Sequence, residues 1–137
     1  MDFEYSGIRF RLVGASEKDH IVSIIRDSGS FYELDLLEYM QWALKKREGG
    51  KLAKLVLDVG ANIGNHTVFI GTFITKHVLA IEPNPESVVK LRENLKNNLE
   101  NYTIHDCALG ESSGHGRVHM PENAKNNLGM AKTVTED

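Results

Sequence analysis

The apolar positions follow three successive rhythms. Across residues 3–13 they alternate loosely with polar ones (Phe3, Tyr5, Ile8, Phe10, Leu12) about Ser6-Gly7, the period-two pattern of a β-hairpin. Across residues 16–47 the spacing is helical. A short helix opening at Ser16 and Asp19 carries Ile21, Val22, Ile24 and Ile25 on its inner face and stops at Asp27-Ser28-Gly29. A longer one carries Leu34, Leu37, Met40 or Gln41, and Leu44. It ends in Lys45-Lys46-Arg47, cations suited to a helix C-terminus, and then Gly49-Gly50. Ser30 followed by Glu33 has capping-box spacing, in which hydroxyl and carboxylate would each satisfy a backbone N–H.

From Leu55 the rhythm changes again. Leu55-Val56-Leu57-Asp58-Val59 is a nearly continuous apolar run, as expected of a parallel strand buried on both faces. It enters Gly60-Ala61-Asn62-Ile63-Gly64, and a helix follows over about residues 65–75. Val78-Leu79-Ala80-Ile81 reads as a second buried strand ending at Glu82. Asn84 suits an N-cap and Pro85 the first helical position. That helix buries Val88, Leu91 and Leu95, exposes Lys90, Arg92 and Glu93, and fades at Asn97-Asn98. Tyr102-Thr103-Ile104-His105 is a third strand running into Asp106-Cys107. One more strand is expected at residues 117–120, before a loosely ordered tail. Strands alternating with helices over short connections specify βαβ units, an α/β fold with a parallel sheet and right-handed crossovers. Ligands of such sheets sit beyond the carboxyl ends of the strands.

Composition narrows the partners. The 137 residues suit one compact domain, with the hairpin and first helices in residues 1–48 and the sheet region in 49–137. A net charge of −3 argues against a large nucleic-acid footprint, though not against a local basic patch. The single Cys107 cannot form an internal disulfide. The N-terminus lacks a signal-peptide pattern, and no stretch approaches the ~20 apolar residues of a membrane span. A cytoplasmic chain without nucleic-acid or membrane partners is the expectation.

The candidate chemistry lies at the strand ends. Gly60 and Gly64 let the backbone turn sharply and approach a ligand, and Asn62 between them tolerates positive φ best among non-glycine residues. The same residues would also serve a purely structural strand-to-helix turn. Asp58, closing the strand beneath, would accept backbone N–H bonds or lie near a ligand ammonium group. Glu82 stands 18 residues beyond Gly64, where nucleotide-binding sheets place the acid that grips a ribose diol. Its alternative is a solvated loop glutamate. Asp106 would accept from an adenine amine and the Cys107 N–H would donate to a ring nitrogen, against an Asx turn as the plainer reading. The Cys107 thiol reads as a small buried hydrophobe rather than a nucleophile. His66 faces either the ligand or solvent. His115 and His119, flanked by Gly114 and Gly116, make no metal site, and none is expected elsewhere. Asn62 and Asn65 replace the second and third glycines of the G-x-G-x-x-G fingerprint, which counts against a nicotinamide dinucleotide enzyme.

The run Asp58-Val59-Gly60-Ala61-Asn62-Ile63-Gly64-Asn65-His66-Thr67, followed by Ala80-Ile81-Glu82-Pro83-Asn84-Pro85, resembles the FkbM family of S-adenosylmethionine-dependent methyltransferases. Phe31-Tyr32-Glu33 upstream and Cys107-Ala108-Leu109-Gly110 downstream are similar to that family's flanking segments, so the resemblance covers about residues 15–135. It implies a Rossmann-like class I methyltransferase fold with S-adenosylmethionine as cofactor. The acceptor would be the hydroxyl of a sugar, glycan or other small molecule. Gly60, Asn62 and Gly64 would hold the methionine end, Glu82 the ribose, and Asp106 and Cys107 the adenine, with Asp58 and Asn65 also among the cofactor-binding residues; Glu33 would reach the same pocket or serve its capping box. A family member would continue to a fourth strand with an acidic motif. The chain is therefore expected to carry the first three core strands of an incomplete sheet, to lack a nameable general base, and to be inactive alone. The alternative is a non-catalytic S-adenosylmethionine-binding or protein-interaction module. An uncovered sheet edge would favour a homo-oligomer, or a hairpin moved over to cover it.

Overall fold

The computed structural model of the protein describes residues 1–14, 16, 19–121 and 132–135. Strands β1 (Asp2–Tyr5) and β2 (Ile8–Arg11) pair antiparallel, with Phe3 opposite Phe10. Ser6 and Gly7 between them both take positive φ, 52° and 77°, the two-residue turn whose twist matches the strands. Phe3, Phe10 and Leu12 enter the core from this hairpin. Helix α1 (His20–Ser28) is capped by Asp19 rather than Ser16: its carboxylate accepts from the N–H of Ile21 (3.0 Å) and Val22 (3.2 Å). Val22 and Ile25 are buried; Ile21 and Ile24 are half-buried.

Helix α2 (Leu34–Arg47) buries Leu37 and lays Leu34, Met40 and Leu44 against the core, as its spacing requires. The expected capping box does not form. The helix starts at Leu34, three residues too late for Ser30 to cap it, and Glu33 becomes the N-cap in a left-handed conformation (φ 57°, ψ 40°) with no side-chain cap bond. The Ser30 hydroxyl is buried without a partner.

Strands β3 (Val56–Val59), β4 (Val78–Ile81) and β5 (Tyr102–His105) form a parallel sheet in the order β3-β4-β5, linked by α3 (Asn65–Phe73) and α4 (Pro85–Asn98). This is the Rossmann-like α/β arrangement. Successive right-handed crossovers that advance in one direction put both helices on one face, and α3 packs on α4 as well as on β3 and β4. The other face is therefore open on β3. Leu57 and Val59 are 53% and 57% exposed, which corrects the expectation of a strand buried on both faces. The hairpin does not cover β3 either. Asn98 accepts from the Arg11 N–H (2.9 Å) and donates to its C=O (2.7 Å), and Asn94 does the same to Val13 (2.8 and 2.9 Å), so the chain leaving β2 is fastened along α4. A single cluster joins Phe3, Phe10, Phe31 and Leu37 to Val68, Phe69, Leu91 and Leu95. Within it Phe31 meets Phe3, Phe10 and Phe69 edge-on at 4.8–5.3 Å.

Strand β6 (Gly116–His119) starts one residue before its expected position and pairs antiparallel with β7 (Lys132–Thr135). That second strand corrects part of the expected loose tail; the remainder of that tail, 122–131 and 136–137, lies outside the described residues. Among the described residues no helix is long and apolar enough to cross a membrane.

Candidate functional site

The loop after β3 takes the shape its glycines permit. Gly60, Asn62 and Gly64 have φ of 81°, 50° and 89°. At Gly64 a Cβ would also meet the end of the Leu91 side chain at 2.7 Å, so any larger residue would strain the backbone and displace that side chain. The N–H groups of Gly60 and Ala61 both donate to the Ile81 carbonyl (2.9 and 3.1 Å), tying the loop across to β4. Helix α3 begins immediately after Gly64 with no side-chain cap, so its first N–H groups have no partner inside the helix.

Glu82 is the fastening of this loop. It is 6% exposed, and its two oxygens accept separately from the N–H of Asn62 and of Asn84, both at 2.8 Å. The reading of a solvated loop glutamate is thereby excluded. Asn62 adds an acceptor for the Ser87 hydroxyl (3.1 Å), so loop, β4 end and α4 start form one hydrogen-bonded unit. Asp58 lies beneath, half-buried, accepting from the Thr67 hydroxyl at 2.5 Å. Burial pushes its carboxyl above the ordinary carboxylate range, and the Thr67 bond and the nearby His66 pull it partly back.

A cleft of about 300 Å³ opens beside the loop, walled by Gly60, Ala61, Asn62 and Ile63 on one side and by His20, Ile21, Tyr32, Glu33, Asn65 and His66 on the other. Asn65 builds that second wall. Its side chain is 3% exposed, accepts from the Tyr32 N–H (3.1 Å) and donates to the Tyr32 C=O (3.0 Å), which fixes the approach to α2 against α3. The strained Glu33 follows at once. Its carboxylate comes within 3.2 Å of His66 Nε2, close enough for an ion pair though misaligned for a hydrogen bond, and the His66 ring stacks on Tyr32 at 6.3 Å and 13°. Burial and the Glu33 charge push the Tyr32 phenol up. The wall thus holds an acid and an imidazole in contact, a pair able to carry a proton.

Gly60, Asn62 and Asn65 are thereby brought to the cleft, with Gly64 and Asp58 behind the loop. Glu82, Asp106 and Cys107 do not line it. They continue a row along the strand ends instead: Gly60 donates to Ile81, Glu82 donates to His105 (3.1 Å), and Asp106 comes directly after. With adjacent strands ~4.8 Å apart, the row spans roughly 10 Å. Asp106 makes no turn bond; Arg92 Nη2 donates to both its oxygens (2.7 and 2.6 Å) on the surface. Cys107 is exposed, which corrects its reading as a buried hydrophobe: β5 ends at His105, and the chain beyond it leaves the sheet for solvent. Tyr32, His20 and Ile21 also line the cleft, and no local spacing in the sequence signals that α1 and the approach to α2 meet the loop. Among the described residues no three His, Cys, Asp or Glu side chains are grouped to hold a metal ion.

A family model described as the methyltransferase FkbM domain matches residues 58–136. Three solved structures are similar to parts of the chain. They are PH1948 of Pyrococcus horikoshii, a candidate RNA methyltransferase (26% identity, 51% of this chain and 35% of that one, TM-score 0.43), an rRNA methylase of Streptococcus thermophilus (23%, 41% and 34%, 0.38), and TYW2 of M. jannaschii in complex with AdoMet (23%, 75% and 41%, 0.46). The matched part is 34–41% of the length of these structures. No curated protein matches.

Proposed function

The chain belongs to the FkbM methyltransferase family, and from that premise we propose that it binds S-adenosylmethionine along the strand ends and serves methylation of a hydroxyl on a sugar, glycan or other small molecule. The observation that carries the reading is the row Gly60, Glu82, Asp106 on neighbouring strand ends, with a cleft that holds Glu33 at its Gly60 end. S-adenosylmethionine supplies a methyl group on a positively charged sulfur. The residues suit such a ligand. Glu33, exposed in a conformation that no cap bond repays, offers negative charge to a cationic group. The Gly60-Asn62-Gly64 backbone and the uncapped start of α3 would lie along the methionine portion, with Asp58 beneath. Glu82 would take the ribose: each of its oxygens has one backbone donor and retains a lone pair for a hydroxyl. Asp106 and the Cys107 N–H would meet the adenine, with Arg92 holding the Asp106 carboxylate in place. Asn65, engaged on both sides by Tyr32, shapes the wall rather than donating to a ligand.

Amide chemical-shift mapping with S-adenosylhomocysteine tests this assignment. Shifts are expected at Gly60, Asn62, Glu33, Glu82 and Cys107, with β1 and β2 unmoved. Shifts scattered over the hairpin, with the loop silent, would refute it.

A further inference from the structure

At the end of the molecule remote from the cleft, six cations are displayed together: Lys45, Lys46 and Arg47 in the last turn of α2, Lys51 and Lys54 in the connection to β3, and Lys76 before β4. All are exposed, and among the described residues none is in an ion pair. Residues 45–54 carry a net +4, with Glu48 the one acid, in a chain of −3 overall. The cluster is held in shape by its backbone. Gly49 takes φ 63° and the Gly50 N–H returns to the Lys45 carbonyl (2.7 Å), closing the helix end. The Ala53 N–H donates to Ile74 and the Lys76 N–H donates to Ala53 (2.9 Å each), which brings Lys76 beside Lys54.

Apolar side chains are set among these charges. Trp42 is 57% exposed, with Tyr39 before it on the same solvent face of α2, and Leu52 and Leu55 are exposed in the connection. A polyanion that stacks its bases needs a free aromatic face. Here Lys46 Nζ lies over the Trp42 ring at 5.2 Å, Tyr39 leans on it at 5.7 Å, and leucines offer no π-face. Leucine, indole and long lysine stems that reach past them suit the headgroup region of a bilayer instead. We propose that this end of the protein docks on an anionic lipid surface, with the cations on headgroups and Trp42 in the interface. This departs from the expectation of no membrane partner and is independent of the methyl donor. Helix α2 has 14 residues and so extends ~21 Å from the cleft wall at Glu33 to Arg47, and docking leaves the cleft facing solvent.

The test uses the full chain with vesicles of phosphatidylcholine alone or mixed with phosphatidylserine. Sedimentation with the serine-lipid vesicles only is expected, together with a blue shift from Trp42, the one tryptophan, both reversed by salt. At roughly fivefold per cation, the three charges lost in Lys45→Glu/Lys46→Glu/Lys51→Glu alone should cut partitioning about a hundredfold, and the three acids gained should cut it further. Trp42→Ser should weaken it and leave the salt dependence. Circular dichroism checks folding, and Lys54→Glu/Lys76→Glu repeats the test away from the helix. Equal sedimentation with both vesicles, none with either, or charge reversals without effect would overturn the proposal. So would a single-stranded oligonucleotide that quenches Trp42 while vesicles do not bind.

Discussion

Glu82 is committed twice before any ligand arrives, and this makes its substitution diagnostic. Glu82→Ala leaves the buried N–H of Asn84 and the part-buried N–H of Asn62 without acceptors, at about 1–3 kcal/mol for the buried one and less for the other, so urea unfolding should detect it as well as ligand titration. Glu82→Gln keeps one acceptor oxygen and should lose less of both. A Glu82→Ala variant as stable as the parent would contradict the role of fastening. Asp58 gives a second handle. Its pKa is raised in the fold, so the folded chain holds that proton where the unfolded chain has released it. Stability from this group is therefore full below the ordinary carboxylate range and lost as pH rises through the window up to the raised value. Asp58→Asn should remove that slope, seen as a difference between parent and variant in unfolding free energy across acidic pH; identical slopes would contradict it. At this scale the sequence was legible where a residue's place follows from its neighbours in the chain, as for the turn at Gly60 and Gly64 and the position of Glu82 after β4; the bonds by which Glu82 fastens the loop were not. The sequence named Glu33 but was silent on its left-handed conformation, which follows the Tyr32 that Asn65 grips from 33 positions away. The exposure of Cys107 was likewise decided by where β5 stops.

The order of hairpin, helices and parallel strands followed from periodicity, because each element's apolar spacing agrees with its packing. What periodicity could not convey was which faces meet. An apolar run cannot distinguish a strand covered on both sides from one covered on a single side, and β3 is the second kind among the described residues. Strand β7 has β-branched Thr133 and Val134, but Asn and Gly residues before it give the segment the composition of a loop. The end of α4 at Asn98 agrees with the expected fade, but periodicity gave no sign of Asn94, which is fully buried and also donates to Ile63 (2.7 Å), joining the hairpin exit to the loop. Asn94→Ala should strand the N–H and C=O of Val13 and cost about 2–4 kcal/mol in denaturant unfolding. A cost equal to that of an exposed Asn97→Ala would show that the clamp contributes nothing.

At the scale of the whole molecule the open face of β3 and the cleft are separate surfaces. Leu57 and Val59 present apolar area to solvent, and such a face tends to recruit a second chain. Light scattering over a concentration series should show association that Leu57→Lys reduces; a strict monomer at all concentrations would contradict this. The central claim concerns the cleft and the row of strand ends beyond it. Asn62 and Asn65 occupy the positions where a nicotinamide dinucleotide site has glycines, and Asn65 is locked to Tyr32, so the proposed preference for a sulfur nucleotide rests on the same residues. Titration calorimetry with S-adenosylmethionine, S-adenosylhomocysteine and NAD reads this directly. The account predicts heat from both sulfur nucleotides, weakened roughly 10- to 150-fold by Glu82→Ala, and none from NAD; binding of NAD by a folded chain that ignores both sulfur nucleotides would contradict it.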